Sequence, residues 1–169
     1  MNVFTKYSDA FNTMSVDKLF VKILDTEEVK TFIIEYITKR LYDSGLDKNN
    51  AQLRTDTATY GVYNVNTIKH KSKTRQPFDR VTLKETSNFY ESFEISIKQK
   101  AIEIYADYLK VNEDREDGLS HISENFTYSY SGANNFEKAI SDLTDEDWTF
   151  LINSILLDKT KKYILDELQ

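Results

Sequence analysis

The chain has no cysteine, which excludes disulfides, thiol nucleophiles and thiolate metal sites. Proline occurs once, at Pro77, and glycine only at Gly45, Gly61, Gly118 and Gly132. Neither a Gly-x-Gly-x-x-Gly pattern nor a Gly-x-x-x-x-Gly-Lys-Ser/Thr pattern is present, so no phosphate cradle is expected. Charge interrupts every apolar cluster within a few residues, whereas a bilayer span needs about 20 mostly apolar residues, so no membrane contact is expected. The opening Met1–Asp9 has no basic stretch followed by an apolar one, and no secretory signal is expected there.

Histidine is scarce too. His70 lies between Lys69 and Lys71, where positive neighbours disfavour both imidazolium and a divalent metal. His121 has Ser120, Ser123 and Glu124 nearby, but no Gly-x-Ser-x-Gly elbow accompanies them, and an ordinary polar loop is expected. The acidic run Glu113–Asp117 fails as a calcium loop. Counting from Asn112, glycine falls one place late and Ser123 stands where the bidentate Glu belongs. Asp145, Glu146 and Asp147 are better explained as the acidic start of a helix than as a catalytic carboxylate pair. No catalytic residue, cofactor or metal is expected.

What is abundant is apolar and aromatic surface. The 169 residues are 40% hydrophobic and 30% charged, as in a folded globular chain, and include eleven Tyr and ten Phe. Tyrosine suits an interface and a core equally well, and composition does not choose between them.

Ser15–Tyr42 carries apolar residues at helical spacing: Leu19, Phe20, Ile23, Leu24, then Val29, Phe32, Ile33, Tyr36, Ile37, Leu41. Asp25 with Glu28 resembles a capping box and predicts a break between a short helix and a longer one, which Gly45 then stops. Residues 46–80 are rich in Thr and Asn and lack clear periodicity. They read as an extended arm with one strand near Tyr60–Val65. A short helix is expected over Thr86–Ser92, capped by Thr86 or Ser87, with Phe89 and Tyr90 packed inward. A hairpin follows, with Phe93, Ile95 and Ile97 alternating in one strand and Ile102, Ile104 and Ala106 in the other, one face dry and one wet. Phe126, Tyr128 and Tyr130 alternate and read as a third strand or a sticky loop, the loop being favoured. A closing helix starts after Thr144, with Trp148, Leu151, Ile152, Ile155, Leu156, Tyr163, Ile164 and Leu168 as its apolar stripe. Together these predict one α+β domain over residues 1–169. N- and C-terminal helices pack on a small antiparallel sheet, with a long basic arm at 46–80.

Net charge is −6, which argues against general attraction to nucleic acid. Yet Lys69, Lys71, Lys73, Arg75 and Arg80 fall within twelve residues, opposed only by Asp79, a local +4. That patch suits an acidic protein partner, including another copy of this chain, or DNA phosphates. With Phe89, Tyr90, Tyr128 and Tyr130, these five cations are the expected interaction residues.

The run Arg80-Val-Thr-Leu-Lys-Glu-Thr-Ser-Asn-Phe-Tyr-Glu-Ser-Phe93, leading into the hairpin, resembles small structural proteins of tailed bacteriophages, especially those of phages infecting gut Bacteroidetes. That group has a Thr-Gly-x-Phe-x-x-Ser-Phe-like helix before a hairpin. Thr86, Phe89, Ser92 and Phe93 match it, and Ser87 stands where Gly is usual. The loop through Thr67, Lys69, Lys71, Lys73 and Pro77 and the closing Tyr163–Leu168 are similar as well. More distantly the chain looks like neck, tail-completion or minor tail proteins. The resemblance implies a non-enzymatic virion component, assembled in the bacterial cytoplasm as a homo-oligomer against portal, connector or tail-tube proteins. A nucleic-acid-binding or packaging module using residues 69–80 is the alternative.

Overall fold

The computed structural model describes residues 16–59, 61–84, 88–98, 101–111, 119–126, 130 and 132–167. The chain has the expected α+β fold, with helices toward both termini, two-stranded antiparallel sheets and a long loop region. It gathers into two compact units. One comprises residues 1–34, 95–103 and 145–169; the other comprises 35–94 and 104–144.

The first unit holds α1 (Val16–Leu24), the start of α2 (Glu27–Lys39), the tip of a hairpin and the C-terminal helices. The break between α1 and α2 lies where the sequence put it. There the Thr26 hydroxyl donates to the Ile23 carbonyl at 2.9 Å, and the Asp25 carboxylate takes the Lys30 ammonium at 2.7 Å. The closing helix begins as α6 (Asp145–Leu151), passes through one π turn (Ile152–Leu156) and continues as α7 (Leu157–Glu167). A π turn adds a residue to the repeat, so Leu151 and Leu156, five apart, both face inward. Ile152, placed on the inner stripe by strict α periodicity, is turned outward instead. Lys22 of α1 donates to the Tyr163 hydroxyl of α7 at 2.9 Å, and the Lys159 ammonium meets Glu28. Phe32 stacks on Phe150 with centroids 5.8 Å apart.

The hairpin strands are β1 (Glu94–Lys98) and β2 (Ala101–Tyr105). The expected separation into a dry and a wet face is absent. The three central residues of each strand are all half-buried, because a two-stranded ribbon has too little neighbouring sheet to shield one face fully.

The second unit contains α3 (Val65–Lys73), α4 (Asn88–Glu91), β3 (Leu109–Val111) paired antiparallel with β4 (Leu119–His121), a 3-10 turn (Ile122–Asn125) and α5 (Ala133–Ser141). Of the range Tyr60–Val65 where a strand is expected, Tyr60 lies outside the described residues, residues 61–64 form no strand and Val65 begins a helix, so part of the expected extended basic arm is helix. Asn64 accepts the Thr67 N–H at 2.9 Å, a side-chain cap that starts α3 at Val65 despite its β-branched residues. The proposed caps of α4, Thr86 and Ser87, lie outside the described residues, as do Gln99 and Lys100 of the hairpin turn, Glu113–Asp117 and Tyr128.

An aromatic chain fills this unit. Phe89 meets Phe93 at 5.2 Å and Tyr108 at 5.4 Å, and Tyr108 meets Phe136 at 6.2 Å. Phe136 in turn stacks on Phe126 at 4.8 Å and takes the edge of Tyr130 at 5.4 Å. The carbonyl end of α5 is closed from the π turn Arg40–Ser44 and the loop after it. Arg40 Nη2 donates to the carbonyls of Ile140 and Asp142 at 3.1 and 2.9 Å, and Lys48 N–H donates to Ala139 at 2.8 Å. Asp47, buried, ties the next turn by accepting the N–H groups of Asn49 and Ala51 at 2.8 and 2.9 Å.

Gly45 ends the long N-terminal helical segment in a left-handed conformation, φ +63°, and a Cβ there would stand 2.9 Å from both Arg80 Cβ and the Val81 carbonyl. Gly61 is also left-handed, φ +65°, but has open space around it. Gly61→Ala is therefore expected to cost only backbone strain, on the order of 1 kcal/mol. Gly45→Ala should cost clearly more, about 2–4 kcal/mol, because the clash adds to the same strain. Urea unfolding of both variants measures the difference; equal losses would contradict the packing at Gly45.

Candidate interaction surface

The cations of residues 69–80 do not form one patch. In α3 the exposed positions are Val65, Asn66, Lys69, His70, Ser72 and Lys73, while Lys71 points inward and is only 7% exposed. Its ammonium donates to Gln76 Oε1 at 3.0 Å, the Lys84 carbonyl at 3.3 Å and Thr82 Oγ1 at 3.4 Å, and lies 5.3 Å from the centre of the Tyr63 ring. A buried ammonium is tolerable only when its donors are satisfied, and here oxygen acceptors and a ring face do so. Lys71 is thus part of the core rather than of the docking surface. Helical phase explains this: Ile68 and Lys71 share the inner face, with Lys69 and Lys73 on the outer one.

Thr82 is the centre of this arrangement. It is fully buried; its N–H donates to the Tyr63 hydroxyl at 3.1 Å, its Oγ1 accepts Lys71 and the Lys84 N–H, and its carbonyl accepts the Tyr90 hydroxyl. Tyr90 is therefore turned to the interior by its hydroxyl, and Phe89 is buried beside it. Tyr130 donates to Asp47 Oδ2 at 2.8 Å. Of the aromatic residues expected at an interface, Phe89, Tyr90 and Tyr130 thus have interior partners. Burial drives the tyrosine hydroxyls upward in pKa at Tyr63, Tyr90, Tyr108 and Tyr130 alike.

Arg80 is half engaged. Its Nε donates to the Tyr42 carbonyl at 2.9 Å and its Nη1 to Asp79 at 2.9 Å. The outward cations are then Lys69, Lys73 and Arg75, with His70 among them, and Val65 and Phe78 (47% exposed) add apolar area to the same segment. Arg75 itself holds left-handed backbone, φ +56°, just after α3. Gln76 N–H reaches the Lys71 carbonyl at 2.8 Å and Arg75 N–H the Ser72 carbonyl at 3.3 Å, the pattern of a helix stop that glycine usually fills.

Among the described residues, the surroundings of His121 resemble catalytic geometry. Ser123 Oγ lies 2.6 Å from Nδ1, and Glu137 Oε1 lies 3.0 Å from Nε2. Sequence proximity suggested Glu124, but the ring's carboxylate partner comes from α5; Glu124 instead accepts the His121 backbone N–H at 3.3 Å. Nδ1 also accepts the Ser123 N–H at 3.1 Å, so the ring proton sits on Nε2 and is donated to Glu137. A nucleophilic relay needs that lone pair for the serine hydroxyl and free N–H groups for an oxyanion. Here the lone pair is shared. The N–H groups of Ile122, Ser123 and Phe126 are committed to Tyr108 O, His121 Nδ1 and Ser123 O. Tyr108 stacks on the imidazole at 5.5 Å. The residues form a reciprocal cap on the 3-10 turn, fastened to α5.

No group of three or more His, Cys, Asp or Glu positioned to hold a metal occurs among the described residues, and no helix among them is long and apolar enough to cross a membrane. No family model matches this chain, nor does any curated protein or solved structure.

Lys71→Met should lower stability by about 1–3 kcal/mol, because it strands three acceptors, whereas Lys69→Met should stay within about 0.5 kcal/mol. Paired denaturant titrations decide it, and equal effects would return Lys71 to the surface. Burial also raises the Tyr108 hydroxyl to about 12; the Ser141 hydroxyl opposes this and the Glu137 charge adds to it. The unfolded chain ionises near the ordinary 10, so the contribution is complete below that pH and is lost as pH rises toward 12. Tyr108→Phe should flatten the fall in melting temperature across that alkaline window; an unchanged slope would place the ring in water.

Proposed function

We infer that this chain is a non-enzymatic assembly protein that docks an acidic protein surface through the outer face of residues 65–78. The resemblance of residues 80–93 to tailed-phage structural proteins supports reading it as a virion component, of head–tail connector, tail-completion or minor tail type. Its neighbours would be portal, connector or tail-tube proteins and further copies of itself.

The observation that carries this reading is Arg75. A non-glycine residue in left-handed backbone costs about 1–2 kcal/mol, and glycine would close α3 there at little cost. The strain is accepted at a position that leaves Arg75 exposed, in the same segment as exposed Lys73 and Phe78, as befits a residue kept for contact. Cations flanked by exposed apolar side chains favour protein over nucleic acid, because phosphate recognition gains little from Val65 or Phe78. The charge difference points the same way: the rest of this −6 chain repels a polyanion at long range.

Arg75→Gly should therefore raise stability by roughly 0.5–1 kcal/mol while weakening assembly. Lys69→Glu with Lys73→Glu should weaken assembly further and leave the melting temperature nearly unchanged. Peptide mass spectrometry of purified particles, with reconstruction along the portal–tail axis, checks the virion assignment, and absence from particles would remove it. Binding to DNA with a steep salt dependence that is lost in the Lys69→Glu/Lys73→Glu variant would move the packaging alternative to the front.

A further inference from the structure

The C-terminal helices present a further outward surface. Phe150, Leu157 (46% exposed) and Leu165 (61% exposed) all reach solvent there. Phe150 keeps its stack on Phe32 and still shows an open edge, part of a shallow groove lined with Asp145, Glu146, Thr149 and Asn153. The π turn creates this surface: by drawing both Leu151 and Leu156 inward it leaves Phe150, Asn153, Ser154 and Leu157 on the outside.

The charge along this face is polarised. Exposed Asp145 and Glu146 stand at its beginning and exposed Lys161 and Lys162 toward its end. Such a surface is complementary to itself only when reversed. A parallel copy would oppose acid to acid and base to base, whereas an antiparallel copy satisfies both ends at once. A two-fold axis between Asn153 and Ser154 brings Phe150 against the second copy's Leu157, Glu146 against its Lys161 and Asp145 against its Lys162. The two smaller side chains at the axis allow close approach. Asp158, which bridges Lys161 at 3.3 Å within its own helix, lies opposite Thr149 and opposes no acid.

We propose that this face is a homodimer contact: two copies of the chain pair through antiparallel 145–165 helices, with Phe150 and Leu157 packed across the axis and the terminal charges as its rim. This deepens the assembly reading by naming one self-contact. It rests on that reading only for the contact's use in a particle, because the pairing is a property of the isolated chain.

Sedimentation equilibrium and native mass spectrometry of the full chain test it in solution. A dimer is expected, with Leu157→Glu raising its dissociation constant at least about tenfold at unchanged melting temperature. Glu146→Lys alone and Lys161→Glu alone should each weaken it roughly two- to tenfold, and the two together should restore it, since each rim pair re-forms with its signs exchanged. Ser154→Cys, the only thiol in that variant, should oxidise to a symmetric disulfide-linked dimer. A monomer at all concentrations, a dimer indifferent to Leu157→Glu, or a double charge reversal no better than either single one would overturn the proposal. A dimer that behaves as expected from a chain absent from particles would leave this contact standing and remove the virion reading alone.

Discussion

A fully buried threonine must find partners for three polar groups, and at Thr82 those partners come from three separate stretches of chain. Lys71 and Tyr63 approach from the α3 side, Lys84 from the following loop and Tyr90 from α4. Each of those partners is itself largely withdrawn from water, so each bond is costly to break and none can be replaced by solvent without reopening the unit. Leu83 sits at φ +52° between the two residues that make these bonds, a strained conformation held in place by the network on either side. The orientation of the outer face follows. Once Lys71 is fixed inward, helical geometry leaves Lys69, Lys73 and Val65 no choice but to face out.

The same logic governs the second polar centre. Asp47 is buried with its carboxylate shared among two backbone N–H groups and Tyr130, while Arg40 and Lys48 close the carbonyl end of α5. Helix ends and tight turns leave orphan groups, and this unit satisfies those at the carbonyl end of α5 from distant Arg40 and Lys48 while Asn64 and His121 cap locally. The aromatic chain from Phe93 through Tyr108 and Phe136 supplies the apolar burial between the two centres. Tyrosine serves here because a ring can be buried while its hydroxyl reaches an acceptor, as Tyr90, Tyr108 and Tyr130 each do.

Long, strongly periodic segments were legible from the residues alone: the break between α1 and α2, the stop at Gly45, the hairpin and the closing helix. What escaped is physically specific. In α3 one of the inward positions is a lysine, so the apolar stripe that announces a helix is interrupted by the very residue that anchors it. The three-residue strands β3 and β4 are too short for alternation to register. A π turn carries no compositional mark, so α periodicity puts Ile152 on the inner stripe of the closing helix, although Leu156 on that same stripe is buried as expected. Phe89 and Tyr90 pack inward as the short helix predicts, while their count among interaction residues, with Tyr130, reflects that aromatic content does not distinguish a ring that contacts a neighbour within the chain from one that contacts a partner.

These misses share a consequence for where contact surfaces lie. A cation in a run of cations reads as surface, yet Lys71 is core; an apolar residue at helical spacing reads as core, yet Ile152 is surface. Burial here is decided by phase along the helix rather than by residue type. The two outward faces that phase produces also differ in kind. Residues 65–78 offer one sign of charge and, on the proposed reading, suit an unlike partner, while the closing helix carries both signs in order and suits its own reverse. If both proposed contacts form, the chain has what a closed or bridging assembly demands: a contact that joins like to like, and another that fastens the resulting unit to something else.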